Sequence, residues 1–242
     1  MNTSEEKILN KNWALINKSI EFMGRPKRLF NLIPKRTALL VIDMQNCFCS
    51  QSGSIENQDT RKITPNINKI SEQCRIKHIP VIWIKMLGKP DGQDTGLWKL
   101  FQPNSPISNN RKNPQIALSN ESKESEFWSK LKIENTDHII NKKRYSAFIA
   151  GSSKLNNLLK KLKVDTLIIT GVGTNVCCES TARDAMMLNY KVIFISDANA
   201  TFSKFFHETT LMNIKLLFGD VISTKEILSD IIKSENKKHK SY

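Results

Sequence analysis

The sequence predicts an α/β fold in which a parallel sheet carries helices on both faces. Three observations predict it. From Thr37 onward, short apolar runs alternate regularly with longer stretches of helical periodicity. The run from Thr166 to Ile169 is apolar throughout, as in a strand covered on both sides. A chain of 242 residues with 39% hydrophobic content can bury a full core and fits one large domain better than two small ones.

Taken in order, residues 1–34 read as an N-terminal extension. Ile8, Leu15, Ile16, Ile20 and Met23 lie at amphipathic helical spacing, and Gly24-Arg-Pro-Lys-Arg28 reads as a linker, so a packing arm is expected here. The domain proper is expected over 35–235, with 236–242 as a basic C-terminal tail. Strands are expected at 38–42, 80–85, 138–141, 166–170, 191–196 and about 220–222. Helices are expected near 63–77, 153–162, 176–189, 207–217 and 224–233. Strands separated by helices pair in parallel. Residues 88–123 break the rhythm with Asn, Ser, Pro, Lys and Gly around Leu97, Trp98 and Phe101, and read as a lid or binding loop.

The formal net charge of +14 raises nucleic acid as a partner. Its basic residues are spread along the chain, however, without the aromatic interleaving of an RNA-binding sheet or a helix-turn-helix pattern, so a solvated basic surface and no nucleic acid are expected. The longest apolar runs are too short to cross a bilayer, and the amino terminus has no secretory core, which excludes a membrane role from the expectations. Five cysteines form no framework spacing, so a reducing, cytoplasmic compartment is expected.

The chemistry concentrates at three expected strand ends, where ligands sit in open parallel sheets. Cys177 opens the helix after the fourth strand. Unpaired N–H groups and the helix dipole there should depress its thiol pKa, whereas Cys178 reads as core filler. Asp43 ends the first strand, either as a chemical carboxylate or as a cap for the turn at Gln45 or Asn46. Lys142 follows the third strand, and taken alone beside Lys143 and Arg144 its default reading is solvated surface. Together they suit acyl transfer to sulfur. The carboxylate accepts the thiol proton, the ammonium holds the anions together, and the turn before Cys177 aims N–H groups at an oxyanion.

These residues carry a resemblance. Thr37-Ala-Leu-Leu-Val-Ile-Asp43-Met-Gln-Asn46, Lys142-Lys-Arg-Tyr-Ser-Ala-Phe148 and Thr170-Gly-Val-Gly-Thr-Asn-Val-Cys177-Cys-Glu-Ser-Thr-Ala-Arg-Asp-Ala185 resemble the three signature blocks of the isochorismatase-like cysteine hydrolases. The resemblance implies a Rossmann-like three-layer sandwich with a six-stranded parallel sheet, and an Asp43–Lys142–Cys177 triad. It also implies a cis peptide between Val172 and Gly173, and an oxyanion hole from the N–H groups of Gly173 and Cys177.

Vinyl-ether-cleaving members of this superfamily lack the cysteine, so Cys177 implies cleavage of an amide or ureido C–N bond. The nicotinamidase branch binds a metal through an aspartate and histidines soon after the first block. Here Cys47-Phe-Cys-Ser-Gln-Ser-Gly-Ser54 has no Asp-x-His, so no metal and no other cofactor are expected. The blocks are most similar to ureidoacrylate amidohydrolases of pyrimidine breakdown, although Met86 stands where that group tends to place an asparagine. The expected activity is therefore that of a metal-independent cysteine amidohydrolase on a small amide or ureido compound, ureidoacrylate-type by preference. The alternatives are a nicotinamidase-type amidase and a non-catalytic binding domain with a basic surface. Tyr145, Phe148 and Trp83 are candidate substrate-binding residues, and a homo-oligomer is implied.

Overall fold

The computed structural model describes residues 3–97 and 114–234. Six strands form one sheet: β1 (Thr37–Ile42), β2 (Val81–Met86), β3 (His138–Lys142), β4 (Thr166–Val172), β5 (Lys191–Ala200) and β6 (Asp220–Ile222). All pair in parallel, in the order β3-β2-β1-β4-β5-β6. The chain fills one half of the sheet outward from β1 and the other outward from β4. A crevice therefore opens outside the carboxyl ends of these two strands, where the connections diverge.

Alternation along the strands divides the core in two. Leu39, Val41, Val81, Trp83, Ile168, Ile193 and Ile195 face one side. There they meet Ile63, Ile67 and Ile70 of α3 (Gln58–Ile76) and Ile227 and Ile231 of α8 (Thr224–Lys233). Ala38, Leu40, Ile42, Ile82, Ile84, Leu167, Ile169 and Phe194 face the other. They pack on Leu155 and Leu159 of α5 (Leu155–Lys161), Ala182 and Ala185 of α6 (Glu179–Met187) and Leu211 of α7 (Lys204–Asn213). The two-residue period of a strand puts neighbours on opposite faces, and helices on both faces bury every position of β1 and β4.

The sheet is longer at its carboxyl end than the pattern indicated. β4 runs on to Val172 and β5 to Ala200, because Gly171 and Asn199 pair after an irregularity in the ladder. The Asn199 amide bridges this break, donating to the carbonyls of Ile169 (2.9 Å) and Ile195 (2.7 Å). At Gly171, φ is +126°, and a Cβ would stand 2.1 Å from the Ile42 carbonyl oxygen, so only glycine lets β4 approach β1 this closely.

The N-terminal segment is strapped to the domain. α1 (Thr3–Phe22) packs on α7, where the Trp13 indole N–H donates to Glu208 at 2.8 Å. Arg25 donates to the carbonyls of Lys215 and Leu216, and Arg28 pairs with Asp230 at 2.6 Å. The Leu29 and Phe30 N–H groups both reach the Asp220 carboxylate at 2.9 Å. Among the described residues no helix is long and apolar enough to cross a membrane. Trp98, Phe101 and the tail at 236–242 lie outside the described residues.

Candidate active site

Asp43 follows β1 directly, with a left-handed φ of 53°, and its N–H is held by the Ile84 carbonyl of β2 at 2.8 Å. The expected capping role does not appear. The Gln45 N–H bonds to the Asp43 backbone carbonyl, and the carboxylate has no side-chain or backbone donor among the described residues apart from Lys142 and the Cys177 thiol. That partner is Lys142, the last residue of β3, whose Nζ lies 2.7 Å from Asp43 Oδ2. Both side chains are withdrawn from solvent, at 0% and 1% exposure, which removes the solvated-surface reading of Lys142. Its neighbours do behave as outer residues: Lys143 pairs with Asp94 at 2.6 Å, and Arg144 binds the Asp94 carbonyl.

Lys142 Nζ also donates to the Arg144 carbonyl (3.0 Å) and to Cys177 Sγ (3.3 Å), and stands 3.5 Å from Met86 Sδ. The three residues expected at separate strand ends thus meet around one ammonium. Burial works against the Lys142 charge, but Asp43 and Cys177 more than offset it and raise its pKa to about 12. Lys142 is an ammonium at neutral pH.

Cys177 keeps one part of the sequence reading and corrects another. It sits in a π-helical turn, Thr174–Cys178, that runs without a break into α6, so it lies in the first helical turn after β4 as expected. Its thiol pKa is raised to about 12, where a depressed value was expected. Burial pushes it up, Lys142 pulls it down, and Asp43 pushes it up again. Desolvation of a thiolate outweighs one ammonium that Asp43 already neutralises.

The peptide between Val172 and Gly173 is cis. The Gly173 N–H has no partner among the described residues, and Gly173 and Cys177 both line the same cavity. The Gly173 carbonyl accepts from Val176 (3.0 Å) and Cys178 (3.2 Å), which closes the turn. Two side-chain contacts brace it: Thr174 Oγ1 lies 2.9 Å from His207 Nδ1, and Thr201 donates to Asn175 at 2.6 Å.

The cavity over the triad has a volume of about 330 Å³. Asp43, Met86 and Cys177 contribute from the strand ends, and Phe48, Tyr145 and Phe202 supply aromatic walls. Ile55, Glu56 and Asn57 enter from the connection between α2 (Asn46–Cys49) and α3. Leu118, within the sequence's expected lid, also lines it, just after α4 (Pro114–Ala117).

Of the candidate substrate-binding residues, the structure brings only Tyr145 to the cavity. Phe148 stacks on Tyr190, ring centroids 5.4 Å apart, and packs in the core face shared with α5 and α6. Trp83 points to the α3 side of the sheet, where its indole N–H donates to Asp137 at 2.7 Å, so it is a core residue. Strand alternation decided this, since Ile82 and Ile84 occupy the other face.

Sequence reasoning missed Gln45. Its side-chain amide donates to the Met86 carbonyl (2.9 Å) and the Ser125 carbonyl (2.8 Å), and accepts from the Met86 N–H (2.9 Å). It ties the end of β1 to the end of β2 beneath the cavity. Its place two residues after Asp43 in the first signature block was the available signal. Among the described residues, no group of three or more His, Cys, Asp or Glu side chains is placed to hold a metal ion.

Comparison with known proteins shows the family of the chain. The isochorismatase domain family matches residues 37–226, from the first residue of β1 into α8. The chain is 31% identical over 202 residues to nicotinamidase 3 of Arabidopsis thaliana, covering 82% of this chain and 90% of that protein. It is 30% identical over 222 residues to the ureidoacrylate amidohydrolase RutB of Pseudomonas syringae pv. syringae, covering 85% and 87% respectively. The crystal structure of a cysteine hydrolase from Pseudomonas syringae pv. phaseolicola superposes with a TM-score of 0.80 at 31% identity, covering 87% of this chain and 99% of that one. The six-stranded parallel sheet, the three matched blocks and these relatives place the chain in the isochorismatase family, as a hydrolase acting on C–N bonds other than peptide bonds.

Proposed function

We propose that the protein is a metal-independent cysteine amidohydrolase that cleaves a small amide or ureido compound through a thioester on Cys177. The observation that carries this reading is the buried contact of Lys142 Nζ with both Asp43 Oδ2 and Cys177 Sγ. A thiol raised to about 12 is not an ionised nucleophile at rest, so its proton must leave as the carbon–sulfur bond forms. Asp43 is the base that takes it.

In the first step Sγ attacks the carbonyl carbon, the proton passes to Asp43, and the N–H groups of Gly173 and Cys177 receive the developing oxyanion. Asp43 then returns the proton to the departing nitrogen as the C–N bond breaks, releasing the amine and leaving an acyl thioester. Water, deprotonated by Asp43, attacks that thioester, and the proton returns to sulfur as the acid departs. Lys142 stays protonated throughout and keeps an anion tolerable in a buried site, first on Asp43 and then on sulfur.

Two chemistries enter from the relatives' names, a nicotinamidase and ureidoacrylate amidohydrolases. The absence of an Asp-x-His after the first block and of a metal-donor group among the described residues supports the metal-independent branch. Ureidoacrylate-type ureido acids and uncharged primary amides are therefore both candidates for the assay. The assay is ammonia release across a panel of primary amides and ureido acids, with Cys177→Ala as control. Turnover that disappears in the variant supports the reading, and full activity without the thiol contradicts it.

A further inference from the structure

The polar groups of the cavity outside the triad bear on what it accepts, given the amidohydrolase reading above. Among the described residues lining the cavity, none carries a positive charge. Lys142 lies beneath the lining, and Asp43 consumes its charge at 2.7 Å. Glu56 does line it. One of its oxygens, Oε1, is held by Arg61 at 2.8 Å, and Arg61 is fixed in turn by the Cys49 carbonyl at 2.9 Å. Oε2 accepts no hydrogen bond from a described residue. Arg61 itself belongs to α3 and faces an outer groove beside Trp128, so the guanidinium stands behind the carboxylate and outside the cavity.

This pair is a fixed dipole with its negative end toward the substrate space. Beside Glu56, the Asn57 Oδ1 is occupied by the Asp59 N–H at 3.0 Å, which leaves its amide N–H₂ as the donor it offers. The remaining walls near it, Phe48 and Ile55, are apolar. Glu56 Oε2 in this lining accepts an N–H donor and repels a second anion, while the Asn57 N–H₂ can meet a neutral carbonyl oxygen.

We propose that Glu56 makes this enzyme select uncharged amide or ureido substrates over those carrying a free carboxylate, with Oε2 accepting a substrate N–H. Arg61 is then a positioning residue that orients Glu56 and tempers its charge.

The test uses β-ureidopropionate and its uncharged counterpart β-ureidopropionamide as probes, titrated calorimetrically into full-length Cys177→Ala protein. Binding is thereby read apart from turnover. The uncharged probe is expected to bind about tenfold tighter than the anion. Adding Glu56→Gln should close or reverse that gap, while adding Arg61→Gln should widen it, so either variant suffices if the other fails to fold. Equal or tighter binding of the anion, no binding of the uncharged probe, or a gap that neither substitution moves overturns the proposal. Its failure is distinguishable from failure of the hydrolase reading. Preferential binding with no amide of any kind hydrolysed by the Cys177 protein condemns the latter alone, and Cys177-dependent turnover without charge preference condemns Glu56 alone.

Discussion

Lys142 Nζ stands 2.7 Å from Asp43 Oδ2, with both side chains removed from water, and this pair is the pivot of the site. A buried pair of this kind is strongly destabilised by losing one member, because the other is left as an uncompensated charge. Lys142→Met should therefore destabilise the fold by about 3–5 kcal/mol, measured by urea denaturation. Among molecules still folded, kcat/KM should fall at least about a hundredfold, since a sulfur anion has lost its counter-charge. Asp43→Asn should show a comparable kinetic loss and a similar destabilisation, because it leaves the buried Lys142 ammonium without its counter-charge.

The raised thiol pKa gives a pH signature. Alkylation of the free enzyme by iodoacetamide at Cys177 should climb about tenfold per pH unit from neutrality to about pH 10 without levelling off, as only the thiolate reacts. A plateau near neutrality would mean that a preformed thiolate exists. Lys142→Met should slow alkylation at every pH, since removing the cation raises the thiol pKa further.

Stability should fall on the alkaline side. Cys49, with a pKa of about 11, and Cys177 at about 12 are both raised by burial above the ordinary value of 9.0. Above pH 9 the unfolded chain releases these protons and the folded chain retains them, so the unfolded state is favoured increasingly up to the folded values. Denaturation midpoints measured between pH 8 and pH 11 should decline; a flat profile would contradict the burial argument.

Trp83 and Tyr145 separate by experiment. Trp83→Phe deletes the hydrogen bond to Asp137 and leaves a void in the core, and should cost about 2 kcal/mol of stability with kcat/KM nearly unchanged. Tyr145→Ala alters a cavity wall and should shift KM. A large kinetic effect from Trp83→Phe would return Trp83 to the substrate site.

Two glycines two residues apart should respond oppositely. Gly171→Ala drives a Cβ into the Ile42 backbone and should cost several kcal/mol or prevent folding. At Gly173 the nearest atom to a new Cβ is Thr201 Oγ1 at 3.6 Å, and φ is −88°, so Gly173→Ala should stabilise the protein by about 0.5 kcal/mol in thermal unfolding.

The alternation of apolar runs made the six strands and the positions of Asp43, Lys142 and Cys177 legible, because parallel strands buried on both faces leave a continuous hydrophobic signature and place polar residues at their ends. What stayed hidden depends on the third dimension. Trp83 and Ile84 are adjacent in sequence but face opposite layers, and an uninterrupted apolar run does not say which face is which. The thiol pKa was misjudged because the helix start was weighed without the burial: the π-helical turn that opens the helix withdraws the sulfur from water beside an already neutralised lysine. Glu56 and Asn57 reach the cavity from a connection with no periodic pattern to announce it.

The central claim is that Cys177 carries the acyl group. Rapid acid quench of the enzyme during turnover of a hydrolysed amide or ureido compound, followed by intact-mass and peptide mass spectrometry, tests it most directly. The account predicts a mass increase equal to the acyl fragment on the peptide containing Cys177, labile to hydroxylamine and lost in Cys177→Ala together with turnover. An adduct on another residue, or undiminished turnover in Cys177→Ala, would contradict it.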